Sequence, residues 1–115
     1  MKKGLEITDL RVAVVTRAPM TCPLIRIDTN GILFIEAADD YLKIHQENKP
    51  ALTVRMTMKS LHAMLSPTDF VRIHRSYIVG LRRIDNVRNK IVSIAGRELP
   101  ISNNYEAVFF KQFGR

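Results

Sequence analysis

The chain is short of several things at once. Its 115 residues include one cysteine, Cys22, no tryptophan, three tyrosines and five phenylalanines. A single cysteine forbids an intramolecular disulfide and fits a reducing compartment. No apolar run approaches the ~20 residues of a membrane span; the longest are "VAVV" and "ILFI". The start "MKKGLEITDL" has two lysines with no apolar stretch behind them, so it does not read as a signal peptide, and a cytoplasmic location is expected. Catalytic spacings are missing too. His45, His62 and His74 are scattered with no metal-binding interval, Cys22 has no nearby partner, and Ser76 lacks a Gly-x-Ser-x-Gly elbow. Glu36, Asp39 and Asp40 come nearest to an acid–base set, yet adjacent acids in a turn commonly only shape it. No enzymatic activity, cofactor, metal or small-molecule substrate is expected.

What is present describes one globular domain. Hydrophobic residues make up 46% and charged residues 25%, enough for a single ordinary core. Lys and Arg number 18 against 11 Asp and Glu, a net charge of +7. A small domain this basic usually meets a polyanion, either nucleic acid or an anionic membrane face; the plain rival is a solvated basic surface.

Punctuation along the chain favours strands. "LRVAVVT" (Leu10 to Thr16) reads as a first strand and "LIRID" (Leu24 to Asp28) as a second, with "TNG" a hairpin-type turn. "ILFIEA" and "YLKIH" follow, separated by "ADD"; "ENKP" closes that unit and "ALTVRM" opens the next. One segment is helical: in "TMKSLHAMLSP", Met58, Leu61, Met64 and Leu65 form one apolar stripe, while Lys59, Ser60 and His62 face the other way. Thr57 can cap its start, and Pro67 stops it. Strands resume with "FVRIH", "KIVSIAG" and "ELPIS", the last two joined at Gly96. The tail "NYEAVFFKQF" reads as a last helical turn or an irregular docking segment; its "AVFF" could also offer an apolar patch to a partner. About eight short strands around one helix describe a β-rich domain.

The stretch "FVRIHRSYIVG" breaks its own alternation. A strand buried through Val71 and Ile73 would next have to bury Arg75, and an unpaired guanidinium in a core is too costly. Regular pairing should therefore end near His74, Arg75 and Ser76 should project from a turn, and "YIVG" should return to the core. Charge concentrates in the same region: residues 70–90 hold Arg72, Arg75, Arg82, Arg83, Arg88 and Lys90 against Asp85, which is +5 of the net +7. Such a face suits phosphate tracking, and an arginine fork can grip guanine at two acceptors.

In this order, "ILFIEAADDYLKIH", "FVRIHRSYIVG" and "ELPISNNY", with an amphipathic helix between the first two, resemble the LytTR-type DNA-binding domain, the output domain of many bacterial response regulators. The resemblance covers about residues 24–113 and leaves residues 1–23 as an N-terminal extension carrying the first strand. It implies a mainly β fold, an elongated β-sandwich of about ten short strands with one amphipathic helix. It also implies binding of double-stranded DNA by loops in successive major grooves, commonly at paired direct repeats in promoters and with two copies on the DNA.

Carried over by position, the resemblance names three loops. After "IEA" come Asp39, Asp40, Tyr41 and Lys43; in the "HRS" turn, Arg75 reads a base and Ser76 meets a phosphate; after "PIS" stand Asn103 and Asn104. Base contacts are thus expected from Arg75, Asn103, Tyr41 and Asp40, and phosphate contacts from Ser76, Lys43, Arg88, Lys90, Arg97 and Asn104. There are departures from the family pattern. Asn103 stands where Arg is frequent, which turns the preference toward adenine; Gly80 stands where Asn is frequent; and Asp39 and Asp40 are unfavourable beside phosphate unless they accept from cytosine. A receiver domain cannot fit into 23 residues, so the chain is either a stand-alone regulator, with an inhibitor protein as a conceivable partner, or a piece of a longer one. The alternatives are a single-stranded RNA binder, which needs aromatics on an open face, and a protein-interaction module without base-specific reading.

Overall fold

The computed structural model describes residues 12–15 and 25–114, with side chains from Ile27 onward. Cys22 and the flanks of the first expected strand lie outside the described residues. Three antiparallel sheets and two α-helices make up the described chain. Strands β1 (Val12–Val15) and β2 (Ile25–Asp28) pair with each other. A five-stranded sheet contains β3 (Ile32–Ala38), β4 (Tyr41–Gln46), β5 (Lys49–Val54), β6 (Phe70–His74) and β7 (Tyr77–Gly80), in the order β5-β4-β3-β7-β6. A three-stranded sheet is ordered β10-β9-β8, from β8 (Asn86–Arg88), β9 (Ile91–Ile94) and β10 (Arg97–Pro100). Helices α1 (Met58–Ala63) and α2 (Asn103–Phe113) complete it.

The β3, β7 and β6 part of the five-stranded sheet is buried on both faces, which is why those strands read as apolar runs with little clean alternation, whereas β4 alternates buried Leu42 and Ile44 with exposed Lys43. On one face Ile35, Leu42, Ile44, Val54, Phe70 and Ile78 pack against Met58, Leu61 and Leu65 of the α1 region. On the other, Phe34, Val71, Ile73 and Val79 meet Val92, Ile94 and Leu99 of the small sheet, together with Ile101 and Phe109. Neighbouring residues thus serve opposite cores, as Phe34 and Ile35 do, through the period of two of a strand. Two sheets face to face, with overall extents of 45 × 33 × 27 Å, make the elongated sandwich expected from the sequence. At Gly80 an added Cβ would stand 3.2 Å from the carbonyl oxygen of Ile32 and 3.3 Å from that of Leu33, a close approach that suits glycine.

Several local expectations hold. Thr57 caps α1, its hydroxyl accepting from the Ser60 N–H at 3.0 Å. Met58, Leu61 and Leu65 are buried as a stripe. Gly96, at φ 82°, joins β9 to β10 with Ala95 at φ 48°, as a primed two-residue turn requires.

Others need correction. "TNG" makes no hairpin: Thr29–Gly31 form a 3-10 turn, opened by Asp28 accepting from the Asn30 N–H, and hand the chain from the small β1–β2 ribbon to the large sheet. Helix α1 ends at Ala63, before Pro67 acts, because Leu65 bonds back to His62 and Ser66 accepts from Asp69 and Phe70. His62 is half-buried, not on an open face; burial, the largest influence, lowers its pKa from 6.5, hydrogen bonding to the Phe70 backbone opposes this, and the Arg72 charge lowers it further. Strand β8, short and polar, went unread in the sequence.

The tail is a full helix of 11 residues, neither a single turn nor irregular. Phe109 is its core anchor, at 0% exposure, while Val108, Phe110 and Phe113 stay exposed. The segment entering α2 lies along β6, the border strand of the large sheet: the Ser102 N–H donates to the Ile73 carbonyl at 2.8 Å, and the Gln112 amide donates to the Pro67 carbonyl at 2.8 Å. The opposite border, β5, begins with exposed Lys49 and Pro50, residues that discourage further strand pairing.

Candidate nucleic-acid interface

The antiparallel order of the large sheet gathers its tips. The β3–β4 turn (Asp39, Asp40), the exit of β5 (Arg55) and the β6–β7 turn (Arg75, Ser76) all leave from one end. The Ala37 N–H donates to the Ser76 carbonyl at 2.9 Å, joining the first and second turns directly. A third group comes from the small sheet. The Ile101 N–H donates to the Lys90 carbonyl at 2.9 Å, and the next residue, Ser102, bonds Ile73. The "HRS" and "SNN" segments therefore sit side by side on one end of the molecule.

At the second turn, pairing runs regularly through Arg72↔Ile78, shifts by a bulge, and closes at His74↔Tyr77. Arg75 is exposed at the tip, as burial cost predicted. Four hydrogen bonds hold the turn's backbone. Arg72 Nη2 donates to the Arg75 carbonyl at 2.7 Å and Arg72 Nε to the His74 carbonyl at 3.4 Å. The Ser76 N–H donates to His74 Nδ1 at 3.1 Å, and Ala37 closes the set.

At the third group, Asn103 and Asn104 are not in a loop. They form the first turn of α2, whose N-cap residue, Ser102, makes no side-chain capping bond. The resemblance implied a loop here; the strand ends at Pro100 and the two asparagines open a helix instead. Lys90 Nζ donates to Asn103 Oδ1 at 3.0 Å and lies 3.3 Å from Glu106 Oε1. Lys90 itself sits at φ 64° beside Asn89 at φ 50°. Arg88 and Asn104 are exposed, and among the described residues the Arg88 side chain makes no ion pair.

At the first turn, Asp39 takes φ 58° and Asp40 follows, both exposed. Tyr41 is half-buried and held by Arg55, which donates to its hydroxyl at 3.4 Å and lies 5.6 Å from its ring centre. Arg55 was missed from sequence, where it read as the end of a strand; the pairing Leu42↔Val54 is what brings it to this end. Lys43 is exposed on β4 opposite Glu36. Glu36 is already engaged: His45 Nε2 lies 2.9 Å from it, and Arg97 Nη2 lies 3.6 Å from its other oxygen. Arg97 also rests 5.2 Å over the Phe34 ring, so its partly exposed guanidinium already has an ion pair and a ring contact.

The fold divides the charge that the sequence concentrates. Arg82 pairs with Asp69 at 3.3 Å, and Arg83 pairs with Glu47 at 2.9 Å while donating to the Asn30 carbonyl. Both belong to the far end of the sheet, with Gly80 and Phe70. Arg72 points its charge into the second turn. What remains at the tip end is Arg55, Arg75, Arg88, Lys90 and Lys43. The three tyrosines have neighbours of their own, Tyr41 with Arg55, Tyr77 with His74 and Tyr105 with Arg72. Among the described residues no group of three His, Cys, Asp or Glu could hold a metal ion, and no helix is long and apolar enough to cross a membrane.

Basic and amide side chains thus stand on adjacent tips of a β-sandwich. Comparison with known proteins supplies the family: the model of the LytTr DNA-binding domain matches residues 23–114, and the chain belongs to that family. An uncharacterized response regulatory protein of Vibrio cholerae is 33% identical, over 72% of this chain and 35% of its own length. The CO-responsive transcriptional regulator RcoM of Rhodospirillum rubrum is 31% identical over 56% of this chain and 27% of its own. The chain thus spans about a third of the length of these curated relatives. Among solved structures, one described as the LytTr DNA-binding domain of a methyl-accepting/DNA response regulator from Bacillus cereus superposes with a TM-score of 0.74. It covers 91% of this chain and 98% of that one at 22% identity, a likeness of fold. The family is a DNA-binding domain and not an enzyme class.

Proposed function

We propose that this domain reads duplex DNA by sequence, its tips entering successive major grooves, and that it serves bacterial transcription regulation. It does so as the output part of a response regulator with a receiver domain or as a stand-alone regulator answering to an inhibitor protein. Arg75 grips guanine through its planar fork, and Asn103 pairs with adenine. Tyr41 and Asp40 form a third reading point, Asp40 accepting from cytosine and Arg55 offsetting its charge toward the backbone. Ser76, Lys43, Arg88, Lys90 and Asn104 hold phosphates, and the open first turn of α2 adds its positive dipole end. Arg97 joins them only by leaving Glu36 and Phe34. Paired direct repeats occupied by two copies are the expected target.

The observation that carries this reading is the Ser102–Ile73 backbone bond, at 2.8 Å. It ties the segment bearing Asn103 to the strand that leads into Arg75, which supports both side chains addressing one duplex. Selection of bound duplexes from a random pool should recover a pair of direct repeats. Arg75→Ala should then cost about 1–3 kcal/mol on the selected site and little on random duplex. An equal loss on both would make Arg75 a phosphate contact.

A further inference from the structure

Among the described residues, the β6–β7 turn is built unlike the other hairpin tips. Asp39 (φ 58°), Asn48 (φ 59°), Asn89 with Lys90 (φ 50° and 64°) and Ala95 with Gly96 (φ 48° and 82°) each put positive φ at a tip. That is how a short connection matches the twist of its strands. Neither Arg75 nor Ser76 does so. Their connection is closed by two residues, after a bulge between Arg72 and His74. Something other than backbone preference must hold its shape.

Arg72 is the residue placed to do so. The ion-paired arginines Arg82, Arg83 and Arg97 lie on carboxylates, at Asp69, Glu47 and Glu36. Arg72, half-buried, has no carboxylate partner among the described residues. Its guanidinium instead caps the Arg75 and His74 carbonyls at 2.7 and 3.4 Å. Its Cζ lies over the Tyr105 ring, 5.6 Å from the ring centre, in the first turn of α2 and two residues from Asn103. One planar cation therefore touches both elements that carry the proposed reading side chains. A planar fork that reaches two carbonyls at once and can still lie against an aromatic ring is what arginine offers and the point charge of lysine does not.

We infer that Arg72 is a positioning residue for sequence reading: it sets the shape of the Arg75–Ser76 turn and couples it to the α2 N-terminus, without touching DNA. This rests on the DNA-reading role proposed above, and the two stand or fall by different measurements. Arg72→Lys keeps the charge and loses the fork. In the DNA-free protein, amide resonances of Arg75 and Ser76 and the side-chain amide of Asn103 should shift together in this variant, while those of β9 and β10 hold still. Tyr105→Leu should move the same turn resonances from the α2 side. Binding is then read on the selected duplex and on random duplex. Arg72→Lys should lower the ratio of the two affinities by about tenfold and leave the salt dependence as in the wild type. Added to Arg75→Ala, it should lower the ratio little further.

Unmoved Asn103 resonances in both variants would overturn the coupling, whatever the DNA result. A shallower salt dependence in Arg72→Lys would make Arg72 a phosphate contact and overturn the positioning role. If the wild-type protein shows no preference for any duplex, the DNA-reading proposal fails while the resonance arm still judges the clamp.

Discussion

Lys90 permits a substitution pair that separates folding from binding. Its φ of 64° lies in the left-handed region, where an L side chain costs about 1–2 kcal/mol and glycine does not incur that cost. Its ion pair with Glu106 spans 3.3 Å, with side chains 49% and 34% exposed, an arrangement worth about 0.2–1 kcal/mol. Lys90→Ala loses the pair and keeps the backbone cost. Lys90→Gly loses the pair, sheds the cost, and gives back about 0.4–1 kcal/mol through the greater freedom of its unfolded chain. Glycine should therefore be the more stable variant by up to about 1.6 kcal/mol, reversing its usual rank against alanine. Binding should not distinguish them. Both remove one cation from the proposed phosphate rail, so the slope of log affinity against log salt should fall by about 0.9 in each. Urea denaturation followed by circular dichroism measures the first quantity; fluorescence anisotropy on random duplex at several salt concentrations measures the second. Alanine proving the more stable would refute the account of the turn, and unchanged slopes in both variants would remove Lys90 from the phosphate contacts.

Arg88→Gln and Arg97→Gln should behave differently, although both delete an exposed arginine. The first should shallow the salt slope by about 0.9 with stability nearly unchanged; the second should lower the denaturation midpoint through loss of the Glu36 and Phe34 contacts and leave the slope alone. A shallower slope for Arg97→Gln would restore it to the phosphate rail. For His62, whose folded pKa lies below 6.5 chiefly because burial disfavours its charge, the unfolded chain takes up the proton first as pH falls. Its contribution to stability is therefore complete above pH 6.5 and is lost as pH drops from there toward the lowered folded value. His62→Gln should flatten that part of a stability–pH curve, and an unaltered curve would show that another group sets it.

The legible parts of this molecule were those governed by local chemistry. Thr57 before an apolar stripe, Gly96 between two strands, and the impossibility of burying Arg75 each follow from a few neighbouring residues. What sequence could not supply was long-range. Arg82 and Arg83 look like one patch with Arg75 and Arg88, but β7 carries the chain the full length of the sheet between them. Arg55 was invisible as a tip residue because its place depends on the pairing of β5 with β4. Asn103 and Asn104 were placed on a loop by the family resemblance, and the helix they open is anchored by Phe109 in a core that the local sequence does not reveal. The β8 strand is only three residues long, with Val87 between two polar side chains, and is held by its partner β9.

The division of labour along α2 has a consequence for how such a domain changes. Its opening pair of asparagines faces outward, while Phe109 and Gln112 close over the margin of the large sheet. The two duties fall on different turns of one helix. On the proposed reading, the residue that chooses a base can be rewritten at 103 without unsealing that margin, so a new DNA address need not bring a stickier protein.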